Sequence, residues 1–161
     1  MTGLQSKHRW QIRRIFLAPR ERYSVKQAAA VLGISRQALH ASVRNGTHEA
    51  AEEAGTTYLP WSQVASLAME QWPLPTIYED LGEEVWKALP PLLQPRVVTF
   101  TLPDYQLRML QVLAKRGGKE VHAFLCDHLL DLAESEASGL ETEIPGFRAA
   151  LLYPDEPTEE S

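Results

Sequence analysis

Arg36, Gln37, His40 and Arg44 are the residues of this chain whose types and spacing best suit a defined chemistry. Arg36, His40 and Arg44 recur every four residues, so on a helix each step turns only about 40° and the three form one stripe. A guanidinium matches the acceptor edge of guanine, and a Gln or Asn amide matches adenine. The elements that must position this stripe are legible around it. Ser24 followed by Gln27 is a capping-box start, with Val25, Ala28, Ala29 and Leu32 then on one helical face. Gly33 suits the left-handed conformation that ends a helix without a Cβ clash. Ser35 can cap the helix that follows. In that second helix Leu39 and Val43 point inward at i, i+4, and the small Ala28 and Ala29 let the two helices cross closely. Its N-terminal end, with Arg36 and Gln37, is where base contacts are normally made. Lys26, Arg20 and Arg22 are candidates for additional phosphate contacts.

The chain has 161 residues and a formal net charge of −5, which looks wrong for a polyanion binder. The charge is unevenly distributed. Residues 1–48 hold nine Lys and Arg against one acid, Glu21, a net +8. Residues 49–95 carry −7, residues 96–130 carry +2 and residues 131–161 carry −8. A basic head with an acidic remainder implies a nucleic-acid surface at one end and a different partner, or solvation, at the other. The basic stretch 7–22 has two readings. It is an arm tracking phosphates, or a helix packed through Trp10, Ile15, Phe16 and Leu17 with its arginines solvated.

Residues 24–68 resemble the excisionase or MerR-type winged helix-turn-helix. The resemblance lies in the two capped helices, then Gly46, then Gly55-Thr56-Thr57-Tyr58-Leu59-Pro60, then Trp61-Ser62-Gln63-Val64-Ala65. It implies that Arg36, Gln37, His40 and Arg44 contact bases or phosphates. One departure is informative. The loop 48–54, where the wing belongs, contains Glu49, Glu52 and Glu53. A wing on phosphates wants Lys or Arg, so this loop is read as held off the DNA, with a helical turn as an alternative.

A second constellation occupies residues 96–133. Val98, Phe100 and Leu102 alternate with Val97, Thr99 and Thr101, which predicts a half-buried strand stopped by Pro103. No second strand candidate lies nearby, so this strand pairs with its copy in a second chain or elsewhere within its own. Helices over 104–116 and 120–134 flank the break Gly117-Gly118. Strand, helix, glycine, helix resembles the ribbon-helix-helix family of Arc, MetJ and CopG type. The resemblance implies a dimer built on Val98, Phe100, Leu102, Phe124 and Leu125, with Arg96, Val97, Thr99 and Thr101 facing DNA. Lys119-Glu120 stands where that family favours Ser or Thr, and a carboxylate there competes with a phosphate. The module is therefore read mainly as a dimerisation device.

The remaining residues carry little chemistry. His122 and Cys126 are i, i+4 but lack further metal ligands, and no nucleophile–base set can be argued. The expectation is a protein without cofactor or metal, and not an enzyme. A single cysteine, no apolar run of about 18–20 residues and no signal-peptide pattern point to the cytoplasm.

The expected fold is mainly α: a helix-turn-helix domain over 1–72 and a strand-helix-helix dimerisation module over 96–138. Residues 73–95 read as a Pro-rich connector with a short amphipathic helix at 78–89, and residues 139–161 as an acidic flexible tail. The expected function is that of a homodimeric, sequence-specific regulator on palindromic or paired half-sites. Small dimeric DNA binders with acidic tails include autoregulating antitoxins, so Ile144, Phe147, Leu151, Leu152 and Tyr153 are candidates for wrapping a toxin. A protein–protein adaptor that never touches DNA is the alternative.

Overall fold

The structure is a computed structural model that describes residues 7–155. It is mainly helical, with one small sheet, and divides into two compact units. Unit 1 comprises the chain up to Gln94 together with the segment from Leu152 onward; unit 2 is Pro95–Leu151.

Unit 1 opens with α1 (Arg9–Leu17), which buries Ile12, Ile15 and Phe16. The basic N-terminal stretch is thus a packed helix. Trp10, expected to pack, stays 56% exposed, because it lies on the face away from that buried triplet. Arg13 does not remain free. It donates to the carbonyls of Asp80 and Leu81 and pairs with Glu84. A cation at the end of a helix satisfies orphan carbonyls and opposes the helix dipole.

Strand β1 (Arg22–Ser24) leads into α2 (Val25–Leu32), and α3 (Arg36–Arg44) follows the turn. The hairpin β2 (Ala51–Glu53) and β3 (Thr56–Pro60) completes an antiparallel sheet in the order β1-β3-β2, with Tyr23 opposite Leu59 and Glu52 opposite Thr57. Residues 48–54 are therefore no helical turn. Ala54 and Gly55, at φ 51° and 79°, make the tight reversal, and two successive positive φ values match the twist of paired strands. Helix α4 (Trp61–Gln71) buries Val64, Ala65 and Ala68.

Residues 74–93, read as a connector, belong to unit 1. Pro75 sits in the first turn of α5 (Leu74–Leu81), where a missing N–H costs nothing. The chain turns at Gly82, φ 57°, through a short 3₁₀ turn into α6 (Val85–Ala88). The amphipathic pattern thus forms two helices rather than one over 78–89. Ile77 and Leu81 are fully buried, and Val85 and Leu89 nearly so. Asp80 is also buried, and His8 Nδ1 lies 3.1 Å from its carboxylate.

Unit 2 contains α7 (Asp104–Arg116), α8 (Val121–Glu143) and most of α9 (Phe147–Leu152). Helix α7 matches the expected 104–116, and Gly118 at φ 65° makes the turn. Residues 95–103 form no strand: within one chain they have no ladder partner, and Val97, Val98 and Phe100 are 98%, 74% and 62% exposed. The sequence pattern supplies a strand's faces, but a strand exists only with a neighbour to bond. Ala114 is the one buried residue among the described residues of unit 2. The acidic tail also begins later than expected. Helix α8 runs to Glu143, nine residues past 134. Glu141 then accepts hydrogen bonds from the N–H groups of Arg148 and Gly146 at the start of α9, which lowers the pKa of its carboxyl. Residues 156–161, the end of that tail, lie outside the described residues.

Two outcomes check this packing. Ile77→Ala is expected to cost about 2–5 kcal/mol in urea unfolding, as for a buried core side chain and unlike a loose connector. Tyr153 rests its ring on Trp61, centroids 6.2 Å apart, and burial pushes its phenol up to about 12. A group whose folded pKa exceeds its unfolded value, about 10, stabilises fully below the latter. Its contribution should therefore fade between about pH 10 and 12. The tyrosinate absorbance difference between the protein and Tyr153→Phe would show a midpoint near 10 if the ring were not docked.

Candidate nucleic-acid interface

The position of α3 is set by two caps and a glycine. Ser24 accepts from the Gln27 N–H at 3.2 Å, while the Gln27 side chain accepts from the Ser24 N–H at 3.0 Å, the reciprocal pair expected from sequence. Gly33 adopts φ 67° and its N–H bonds Ala29 and Ala30 carbonyls. Ser35 Oγ accepts from the Ala38 N–H at 3.3 Å, so α3 begins at Arg36. Leu39 is buried and Val43 packs against the same core.

The candidate side chains of α3 run along the flank of that buried seam. Arg36, Gln37 and Arg44 are exposed and His40 is half-buried. None of the four has a hydrogen-bond or ion-pair partner among the described residues. Helix α3 itself contains no acid, and exposed Asn45 follows its last turn. The helix therefore offers a row of hydrogen-bonding side chains without protein partners among the described residues, of the types that base edges and phosphates accept. Lys26 is exposed in the first turn of α2. Asn45 carries an amide of the type that reads adenine.

Arg22 is placed differently from expectation. It pairs with Glu53 of β2, and its guanidinium lies 4.1 Å from the centre of the Tyr58 ring on β3. The hydrogen bond to Glu53 raises its pKa, as do the nearby negative charges. Arg22 thus ties the three strands together instead of standing ready for a phosphate. The only sign in the sequence was the run of acids at 49–53, too unspecific to name the partner. Arg20 remains exposed, on a groove between α1 and α2.

Arg96, Thr99 and Thr101 are exposed on unit 2, in a different unit from α3. Of the residues expected to dimerise, Val98 and Phe100 are exposed, while Leu102, Phe124 and Leu125 are half-buried. Phe124 packs edge-on against His128 at 4.4 Å. His122 and Cys126 both lie on α8. Among the described residues no group of three His, Cys, Asp or Glu side chains could hold a metal, and no helix is long and apolar enough to cross a membrane.

No family model, curated protein or solved structure matches this chain. Ser35→Ala is expected to cost about 1 kcal/mol, the usual worth of a helix N-cap. The loss should appear as faster amide exchange in the first turn of α3; unchanged exchange there would mean that Ser35 does not hold Arg36 and Gln37 in place.

Proposed function

We propose that this chain binds double-stranded DNA as a homodimeric regulator, with α3 of each copy in a major groove. The observation that carries this reading is the row of polar side chains along α3. Four polar side chains, Arg36, Gln37, His40 and Arg44, have no protein partner among the described residues and stand on a helix anchored to the core through Leu39 and Val43. A helical pair held by two caps and followed by a β-hairpin supports the winged helix-turn-helix likeness at the level of arrangement. In this reading Arg36 and Gln37 read bases. His40 and Arg44 read or position, and Lys26 and Arg20 hold phosphates.

The dimer rests on unit 2. A unit of this length whose described part buries one alanine cannot balance its conformational entropy by itself. Val98, Phe100, Leu113 and Leu129 are exposed side chains of the kind that a second copy covers. Strand pairing across a two-fold axis would also satisfy the backbone of residues 96–102. An antitoxin role for residues 144–153 would have to begin from a folded α9 and would displace Tyr153 from Trp61.

The acidic hairpin, with Glu52 and Glu53 exposed, favours the adaptor reading, in which unit 1 docks a protein. Enrichment of the full chain on random duplexes separates the two. A regulator selects an inverted repeat, with affinity falling steeply as salt rises. Arg36→Ala should then cost about 1–3 kcal/mol and relax specificity at one position. A uniform loss over all sequences would make Arg36 a phosphate contact. No selection, with weak binding even at low salt, would remove the DNA reading.

A further inference from the structure

The groove between α1 and α2 is cationic and partly aromatic. Trp10 and Arg14, at i, i+4 on α1, line it together with Arg20, Tyr23, Gln27 and Val31, around a volume of about 200 Å³. The lining contains two guanidinium groups and no carboxylate; Glu21, the acid nearest in sequence, is not part of it. Neither Arg14 nor Arg20 has a side-chain partner among the described residues. Their neighbours differ: Arg13 is bound to Glu84 and two carbonyls, and Arg22 to Glu53. The Arg20 backbone N–H donates to the Tyr23 hydroxyl at 3.1 Å, which fixes where that side chain starts. Gln27 uses its carbonyl oxygen to accept from the Ser24 N–H, and its amide N–H groups have no partner among the described residues. Trp10 adds an indole that is 56% exposed.

These features select a ligand chemistry. Two guanidinium groups without a counter-ion call for an anion, and their planar fork matches a carboxylate through paired N–H donors. An exposed indole offers a flat apolar surface for an aromatic ring, and guanidinium planes stack on rings as well. A bare inorganic anion would leave the indole and Val31 uncovered. A neutral ring would leave both guanidinium groups without an anion. The volume of about 200 Å³ lies below the roughly 300 Å³ at which sites for drug-sized molecules begin, so it suits one or two fused rings and not a nucleotide. We infer that the groove binds a small aromatic carboxylate, its ring on Trp10 and its carboxylate on Arg14 and Arg20, with the Gln27 amide as a further donor. Arg20 is also a phosphate contact in the DNA reading, so an occupant competes with that contact; this consequence alone rests on that reading.

The test uses the full chain without DNA and follows the ¹H–¹⁵N signals of its four Trp indoles during titration with benzoate and with indole-3-acetate. The Trp10 signal, assigned by its loss in Trp10→Phe, should shift saturably. Indole-3-acetate should bind with a Kd of about 1 mM or tighter, the range open to a ligand of about a dozen heavy atoms. Indole-3-acetamide keeps the ring without the charge, and acetate the charge without the ring; each should bind at least about tenfold more weakly. Arg14 and Arg20 are exposed, so Arg14→Gln and Arg20→Gln test binding and not folding. Each should weaken binding about fivefold or more, while Arg9→Gln, which removes a charge outside the lining, should leave it unchanged. A Trp10 signal that stays in place with both acids up to about 10 mM, tenfold above that Kd, overturns the proposal. So does equal binding of acid and amide, which would make the groove an apolar surface. So does an equal loss in Arg9→Gln, which would make the attraction one of net charge. Adenosine monophosphate binding more tightly than either acid would make the groove a phosphate site and overturn it too. Because no DNA is present, these outcomes are read independently of whether the chain is a regulator.

Discussion

The indole of Trp61 is the point on which the arrangement of unit 1 depends. Its N–H bonds the Ile15 carbonyl and its edge meets Phe16, so α4 is fixed to α1. Its own backbone N–H bonds the Glu21 carbonyl at 3.1 Å, next to where Arg22 pairs with Pro60 in the sheet. Tyr153 closes over the remaining face. A large ring with one polar atom suits such a junction, because it buries area on several sides and still satisfies its donor. Once α1, α4 and β1 are joined there, α2 has a floor, and α3 has only one face left to bury. The orientation of Arg36 and Gln37 is thus a consequence of contacts made well away from them.

Local signals in the sequence survived into the structure, and non-local ones did not. The Ser24–Gln27 box, Gly33 and Ser35 act within four residues of themselves, so the α2 and α3 boundaries were legible. So was α7, bounded by Pro103 and Gly117. The face of α3 could be drawn for the same reason. What was not legible depended on distant partners. Leu81 and Val85 repeat at helical spacing, but nothing local says that they bury against the first core or that Gly82 divides their helix. Arg22 looked like a free cation until Glu53 and Tyr58 arrived from the hairpin. Residues 96–102 alternate as a strand does, yet alternation specifies faces and not a neighbour. Helix α8 continues through Ser135, Ser138 and Gly139 despite their weak helix propensities.

The acidity of the hairpin has a structural explanation that does not involve a partner. Strand β2 is a three-residue edge strand, exposed at every position. Such an edge invites pairing with another chain, and charged side chains are a common guard against it. Glu53 also supplies the anion that fixes Arg22 over Tyr58. The same carboxylates that protect and brace the sheet make it a poor surface for phosphates. Any polyanion on unit 1 must therefore be held by α1, α2 and α3, where Lys26, Arg36, Arg44, Arg14 and Arg20 remain exposed. The net charge of −5 misleads because it averages over these two populations. One set of charges is committed to folding and sits on the hairpin and around α5. The other is uncommitted and lies along the helices. The second set, and not the total, decides what the surface attracts.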